Sequence, residues 1–177
     1  MKNITIRFIV VCMTALSSCP LFPGIAFSQL SIPAINDTVT VDFSGFTAAG
    51  FSPSPTAGQL SSNSWAVQGF SDSTLIDFGQ TAVSGDFARG ISTGKESTGG
   101  IYAFVTGGGD TILGVQPTQT DFTPGWLTLR IQNNTGTTVT DLEIAYSIWC
   151  YNDQNRSNSF NFSWSTDHIT YSLVPPL

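Results

Sequence analysis

Apolar and polar residues alternate with a period of two along much of this chain, the spacing of strands that bury one face. Val39, Val41 and Phe43 share one side of the first run, Val39 to Phe43. Shorter runs follow at Ser64 to Gly69, around Trp65 and Val67, and at Leu75-Ile76-Asp77-Phe78. Ile101 to Val105 and Thr111 to Val115 come next, on either side of a Gly107-Gly108-Gly109-Asp110 turn. The clearest pattern lies further on. Leu127, Leu129 and Ile131 face one way within Trp126 to Gln132, and Trp126, Thr128 and Arg130 face the other. Asn133-Asn134-Thr135-Gly136 is a turn signal, because Asn and Gly tolerate positive φ. Val139 to Tyr151 then reads as a long strand, with Leu142, Ile144, Tyr146 and Ile148 on one face and Asp141, Glu143 and Ser147 on the other. Phe160, Phe162 and Trp164 alternate with polar residues, and Ile169 to Leu173 follows a Ser165-Thr166-Asp167 turn.

Ser44 to Leu60 and Gly85 to Gly100 are broken by glycines and prolines and read as irregular, with Phe46 and Phe51 pinning the first of them to the core. No helical period runs for ten residues beyond the first thirty positions. The pattern therefore predicts an all-β fold: an antiparallel β-sandwich, jelly-roll-like, of roughly seven to nine short strands, with an antiparallel meander in its C-terminal third.

Composition sharpens this picture. Charged residues are 10% of the 177, well under the usual share, and polarity comes from Ser, Thr, Asn, Gln and Gly. Surface helices normally carry Glu, Lys and Arg, so this balance disfavours them. The formal net charge is −6, a balance that disfavours nucleic acid or an anionic membrane surface as a partner, since both call for basic patches.

The first thirty residues read as an export leader. Lys2 and Arg7 form a basic start, Phe8 to Leu16 is apolar apart from Thr14, and Pro23-Gly24 breaks the segment. Ala26-Phe27-Ser28 offers small residues for cleavage between Ser28 and Gln29. The stretch is too short and interrupted to span a membrane, so no transmembrane span is expected in the mature chain. Leu16-Ser17-Ser18-Cys19 is the competing signal, a lipobox that would lipidate Cys19. Both readings export the chain, to a secreted or cell-surface location. The expected organisation is a signal peptide over 1–28, a lead-in over 29–38 and the β-sandwich module over 39–177. Without the leader, four basic residues remain against twelve acidic ones, a net charge of −8. Cys150 is then the single cysteine of the mature chain, with no partner for an internal bridge, and is expected as a packed thiol.

The sequence shows no paired zinc ligands and no Walker-type phosphate-binding loop. His168 stands in a turn beside Asp167. A hydrolase using two carboxylates is the enzymatic alternative, drawing on Asp72, Asp77, Asp86, Asp110, Asp121, Asp153, Asp167, Glu96 and Glu143. Most of these sit beside Gly, Ser or Thr, as turn-forming Asp residues do. No cofactor is required. Structural Ca²⁺ is the one ion the sequence allows, at the oxygen-rich segments around Asp72 and Asp153. Sugar binding calls for exposed aromatic faces beside polar side chains, and Trp126, Trp149 and Tyr151 are the candidates. A Trp more often fills a core, but Trp126 and Trp149 lie opposite the aliphatic faces of their strands.

Several segments carry a resemblance. Val41-Asp42-Phe43-Ser44-Gly45-Phe46, Leu60-Ser61-Ser62-Asn63-Ser64-Trp65, Ala88-Arg89-Gly90, Gly99-Gly100-Ile101-Tyr102-Ala103-Phe104, Leu129 to Gly136 and Tyr151-Asn152-Asp153 resemble a jelly-roll-like module of secreted and surface proteins of environmental bacteria, Bacteroidetes especially. The likeness covers nearly all of residues 39–173. In longer proteins such modules sit beside lamin-tail-like domains, extracellular hydrolases or sorting signals, which implies an accessory or adhesive role. The resemblance also implies further strands after Leu177, so a truncated module or an inert spacer is a third expectation. The leading expectation is a non-catalytic module for surface association, with polysaccharide or cell-envelope material as its partner.

Overall fold

The computed structural model describes residues 4–10 (backbone only), 30–73, 75–149 and 160–174. The predicted sites at Cys19, Ser28, Gln29, Cys150, Tyr151 and Asp153 lie outside the described residues. Among those described, the chain is almost entirely strands: β1 (Ile4–Val10), β2 (Leu30–Ile32), β3 (Phe46–Ser52), β4 (Gly58–Ser61), β5 (Trp65–Gln68), β6 (Leu75–Ile76) and β7 (Ile91–Ser92). Then come β8 (Gly100–Val105), β9 (Thr111–Gln116), β10 (Trp126–Leu129), β11 (Ile131–Asn133), β12 (Leu142–Ile148), β13 (Ser163–Trp164) and β14 (Ser172–Leu173). One 3-10 turn, Gly85–Phe87, is the helical exception. The all-β expectation is met, in the form of several small sheets. Two compact units are present: one is Leu21–Ile32 with Asn36–Gln132, the other Met1–Pro20, Pro33–Ile35 and Asn133–Leu177.

The first unit holds the core. Phe46, Phe51, Val67, Phe70, Ile76, Phe87 and Ile101 are buried together, and Trp65, Leu113, Phe122 and Leu127 pack against them. Phe70 meets Phe87 edge-on at 5.3 Å between ring centres, and its ring centre lies 5.5 Å from that of Phe122. β8 and β9 form the expected antiparallel hairpin, from Gly100↔Gln116 to Val105↔Thr111. The glycine run is its turn: Thr106 N–H donates to the Asp110 carbonyl (2.7 Å) and Gly109 N–H to that of Thr106 (3.0 Å). Ile101, Tyr102 and Ala103 are all buried, so β8 is covered on both faces.

Three local expectations are corrected. The predicted strand Val39 to Phe43 does not form. The Asp42 carboxylate accepts the Ser44 N–H (2.8 Å) and hydroxyl (2.9 Å), and Phe46 N–H bonds the Phe43 carbonyl, so the segment turns. The strand forms a few residues later, as β3, inside the stretch read as irregular. Phe46 and Phe51 are five residues apart, and a regular strand would point them to opposite faces. A register shift between them, with Ala48 at φ 52° and Gly50 at φ 100°, returns both rings to one core. Pairing is also not uniformly antiparallel: β3 with β4, and β7 with β8, run parallel.

The C-terminal meander is the third correction. β10 pairs with β5 and β12 with β1. The run Trp126 to Gln132 is split at Arg130, whose N–H bonds the Ser64 carbonyl while its guanidinium bonds that of Asn63 (2.7 and 3.1 Å). That guanidinium also lies 4.1 Å above the Phe78 ring centre, a cation–π contact.

In the second unit, β12 alternates as predicted: Leu142, Ile144, Tyr146 and Ile148 are half-buried, and Glu143, Ala145 and Ser147 are exposed. Ile4–Val10, the opening of the predicted leader, is the antiparallel partner of β12. β13 and β14 pair across the predicted turn. There the Asp167 carboxylate accepts the N–H groups of Ile169 and Thr170, both at 2.8 Å, and the Ser165 hydroxyl. The Thr170 and Ile169 N–H groups, then Ser165, hold its pKa down to about 2. A lowered carboxylate pKa stabilises the folded turn above the ordinary value of 3.8, and the effect is lost as pH falls toward 2. The Ile169 and Thr170 amide shifts should therefore titrate together near pH 2 in an NMR series. The Asp167→Asn variant should show no such step, and a midpoint near 4 would mean the bonds carry no weight.

Candidate functional site

Register builds the most exposed feature of the first unit. In the sheet β10-β5-β6, Trp126 stands opposite Gln68, and Gln68 stands opposite Leu75. Residues directly opposite one another point to the same face. Trp126, Gln68 and Leu75 therefore form a row across three strands, and all three are exposed, Trp126 by 50% and Leu75 by 42%. On the reverse face Leu127, Val67 and Ile76 pack into the core. The core expectation for an isolated Trp thus fails at Trp126, and the alternation along its strand explains why. Trp149, in the second unit, is 39% exposed, while Trp65 and Trp164 are half-buried.

The turns at one end of this sheet hold the row in place. Phe122 N–H bonds the Gly69 carbonyl, next to Gln68. Gly69 has φ 104°, and a Cβ there would fall on the Pro124 carbonyl and 2.7 Å from Gly125 Cα. Only glycine lets the two backbones meet so closely just before Trp126.

Beneath these turns lies a buried carboxylate cluster. Asp86 is 1% exposed. Its Oδ2 accepts the Asp72 N–H (3.0 Å) and the Ser71 hydroxyl (3.3 Å), and its Oδ1 pairs with Arg89 at 2.5 Å. Asp72 returns the bond, its Oδ2 accepting the Asp86 N–H at 2.8 Å. Arg89 reaches on to the Gly99 carbonyl at 2.9 Å. Buried Asp121 accepts the Ser71 N–H (3.0 Å) and the Thr118 and Thr120 hydroxyls (2.8 and 3.3 Å). Hydrogen bonding from Ser71, then from Thr118 and Thr120, lowers the Asp121 pKa despite burial. Ser71-Asp72 is thus clamped between two carboxylates, one fixing the turn before Trp126 and the other the segment after Gln68.

This arrangement does structural chemistry. Each carboxylate accepts a bond from a partly buried backbone N–H. Asp72, one of the two predicted Ca²⁺ ligands, spends an oxygen on the Asp86 amide, and among the described residues no group of three acidic, His or Cys side chains could hold a metal. The His168 Nδ1 meets the Tyr171 hydroxyl at 2.5 Å, the His168 backbone N–H donates to the Ser165 hydroxyl oxygen at 2.9 Å, and the Ser165 hydroxyl donates to Asp167. Asp42 and Asp110 line a separate open depression of about 510 Å³ with Thr40, Ser44 and Thr111.

Trp126 was legible from alternation alone; Gln68 and Leu75 were missed, because only strand register brings them beside it. The Asp86–Arg89 pair carries one local signal, an acid and a base three residues apart in a tight turn. No protein-family profile, curated protein or solved structure matches this chain.

Proposed function

We propose that the chain is an exported, non-catalytic module of jelly-roll-like β-sandwich type that attaches to polysaccharide or cell-envelope material at a cell surface. The observation that carries this reading is the exposed row Trp126–Gln68–Leu75. An aromatic ring standing free beside an amide suits a sugar, whose C–H faces are apolar and whose edges are hydroxyls. The non-catalytic part is supported by Asp72, Asp86 and Asp121, three of the candidate carboxylates, which are committed to amides, hydroxyls and Arg89. Export rests on the basic start, the apolar stretch and the Ala26-Phe27-Ser28 site. No helix among the described residues is long and apolar enough to cross a membrane. The resemblance to bacterial surface modules agrees with all of these.

Retention on insoluble polysaccharides and on isolated cell envelopes tests the reading. Trp126→Ala should weaken retention roughly tenfold or more, the usual effect of truncating a central aromatic contact, with an unchanged unfolding curve. Trp149→Ala tests the second unit's aromatic by the same readout. Wild-type retention by both variants would remove these rings from the binding surface.

A further inference from the structure

We infer that the Trp126–Gln68–Leu75 row takes an uncharged glycan laid across the strands and rejects acidic polysaccharides; this rests on the polysaccharide-binding reading above. Three positions on adjacent strands span two inter-strand spacings, roughly 10 Å. That is room for about two sugar rings of an extended chain, a geometric match to the strand spacing. Trp126 and Leu75 give the ends of the row apolar surface for ring C–H groups. Gln68 lies between them, and its amide both donates and accepts, as sugar hydroxyls do. No member of the row is charged.

Charge around the row supplies the selectivity. An acidic polymer needs cations, and the sequence has no Lys or Arg from position 8 to position 88, a span that includes all of β5 and β6. Arg89 is engaged by Asp86 and the Gly99 carbonyl. Arg130, on the strand side of Trp126, is engaged by the Asn63 carbonyl and the Phe78 ring. The charged residues that follow Gln68 and Leu75 most closely are Asp72 and Asp77, both acidic. A polymer of uronate or sulfate groups finds no cation on β5 or β6 to pair with there, whereas a neutral glucan or xylan needs none.

Titration of the full chain against soluble neutral glucans and xylan, and against alginate and polygalacturonate, at low and high salt, tests this. The expected result is binding of a neutral polymer that salt does not change, since no charges are screened on association. Trp126→Ala should weaken it roughly tenfold or more, Gln68→Leu by a smaller factor, and Trp126→Tyr should restore most of it. Circular dichroism melts confirm that each variant is folded. Binding of alginate or polygalacturonate at low salt, lost in Trp126→Ala, overturns the selectivity and leaves polysaccharide binding standing. A neutral polymer held equally well by Trp126→Ala overturns the row as the site. Binding to no polymer overturns both readings.

Discussion

Asp86→Ala is expected to destabilise the protein by about 3 kcal/mol, the low end for breaking a buried ion pair, because the Arg89 side chain is partly exposed and can rehydrate. The loss has several parts. Arg89 is left without its carboxylate, and the partly buried Asp72 N–H and Ser71 hydroxyl lose their acceptor. Asp86→Asn keeps an acceptor and most of the volume, and should cost less, about 1–2 kcal/mol. Urea unfolding followed by Trp fluorescence measures both, and the Ala variant should lower the midpoint by roughly 1 M or more. Equal stability of wild type and Asp86→Ala would mean the cluster is not a fastening point. A second consequence is local. Because the cluster clamps the turns that flank Gln68 and Trp126, the Asn variant should weaken glycan binding even where it remains folded.

That clamp was invisible to pattern reading, for a physical reason. Ser71 and Asp121 are fifty residues apart, and nothing in the periodicity of either segment says that they meet. Local signals served well where structure is local. The glycine turn and flanking alternation gave the β8–β9 hairpin, and the Ser165–Asp167 turn was marked by its own residues. They failed at β3, where Gly45, Gly50 and Pro53 suggested a loop. There the burial of Phe46 and Phe51 overrides local propensity, and the bulge between them absorbs the mismatch. They failed again for partners of strands. A parallel neighbour such as β4 or β7 leaves no mark of its direction on the sequence of the strand it pairs with. The candidate site divides the same way: the outward Trp126 follows from its own strand, while its companions follow from register alone.

Gly50→Ala is the second substitution with a large expected effect, about 3 kcal/mol of destabilisation from strained backbone and overpacking together. Ala48, two residues earlier, shows what the strand tolerates: it holds an alanine at φ 52°, inside the left-handed region that L-residues can enter. Gly50 lies at φ 100°, outside that region. A Cβ there would also land on the Ala82 carbonyl and 2.7 Å from Val83 Cα, and both neighbours are backbone. Neither can yield without breaking the bridge beside it, where Phe51 N–H bonds the Ala82 carbonyl (2.8 Å) and Ala82 N–H returns to Phe51 (2.9 Å). Phe51 is fully buried at the centre of the core. Displacing this bridge shifts the ring, so strain at a glycine becomes a packing defect several ångströms away. Thermal and urea unfolding of Gly50→Ala should show the loss, with Gly107→Ala as the control, since a Cβ at Gly107 meets nothing within 4 Å. If both variants unfold alike, Phe51 can be held without the close approach at Gly50, and the bulge is not what returns Phe46 and Phe51 to one side.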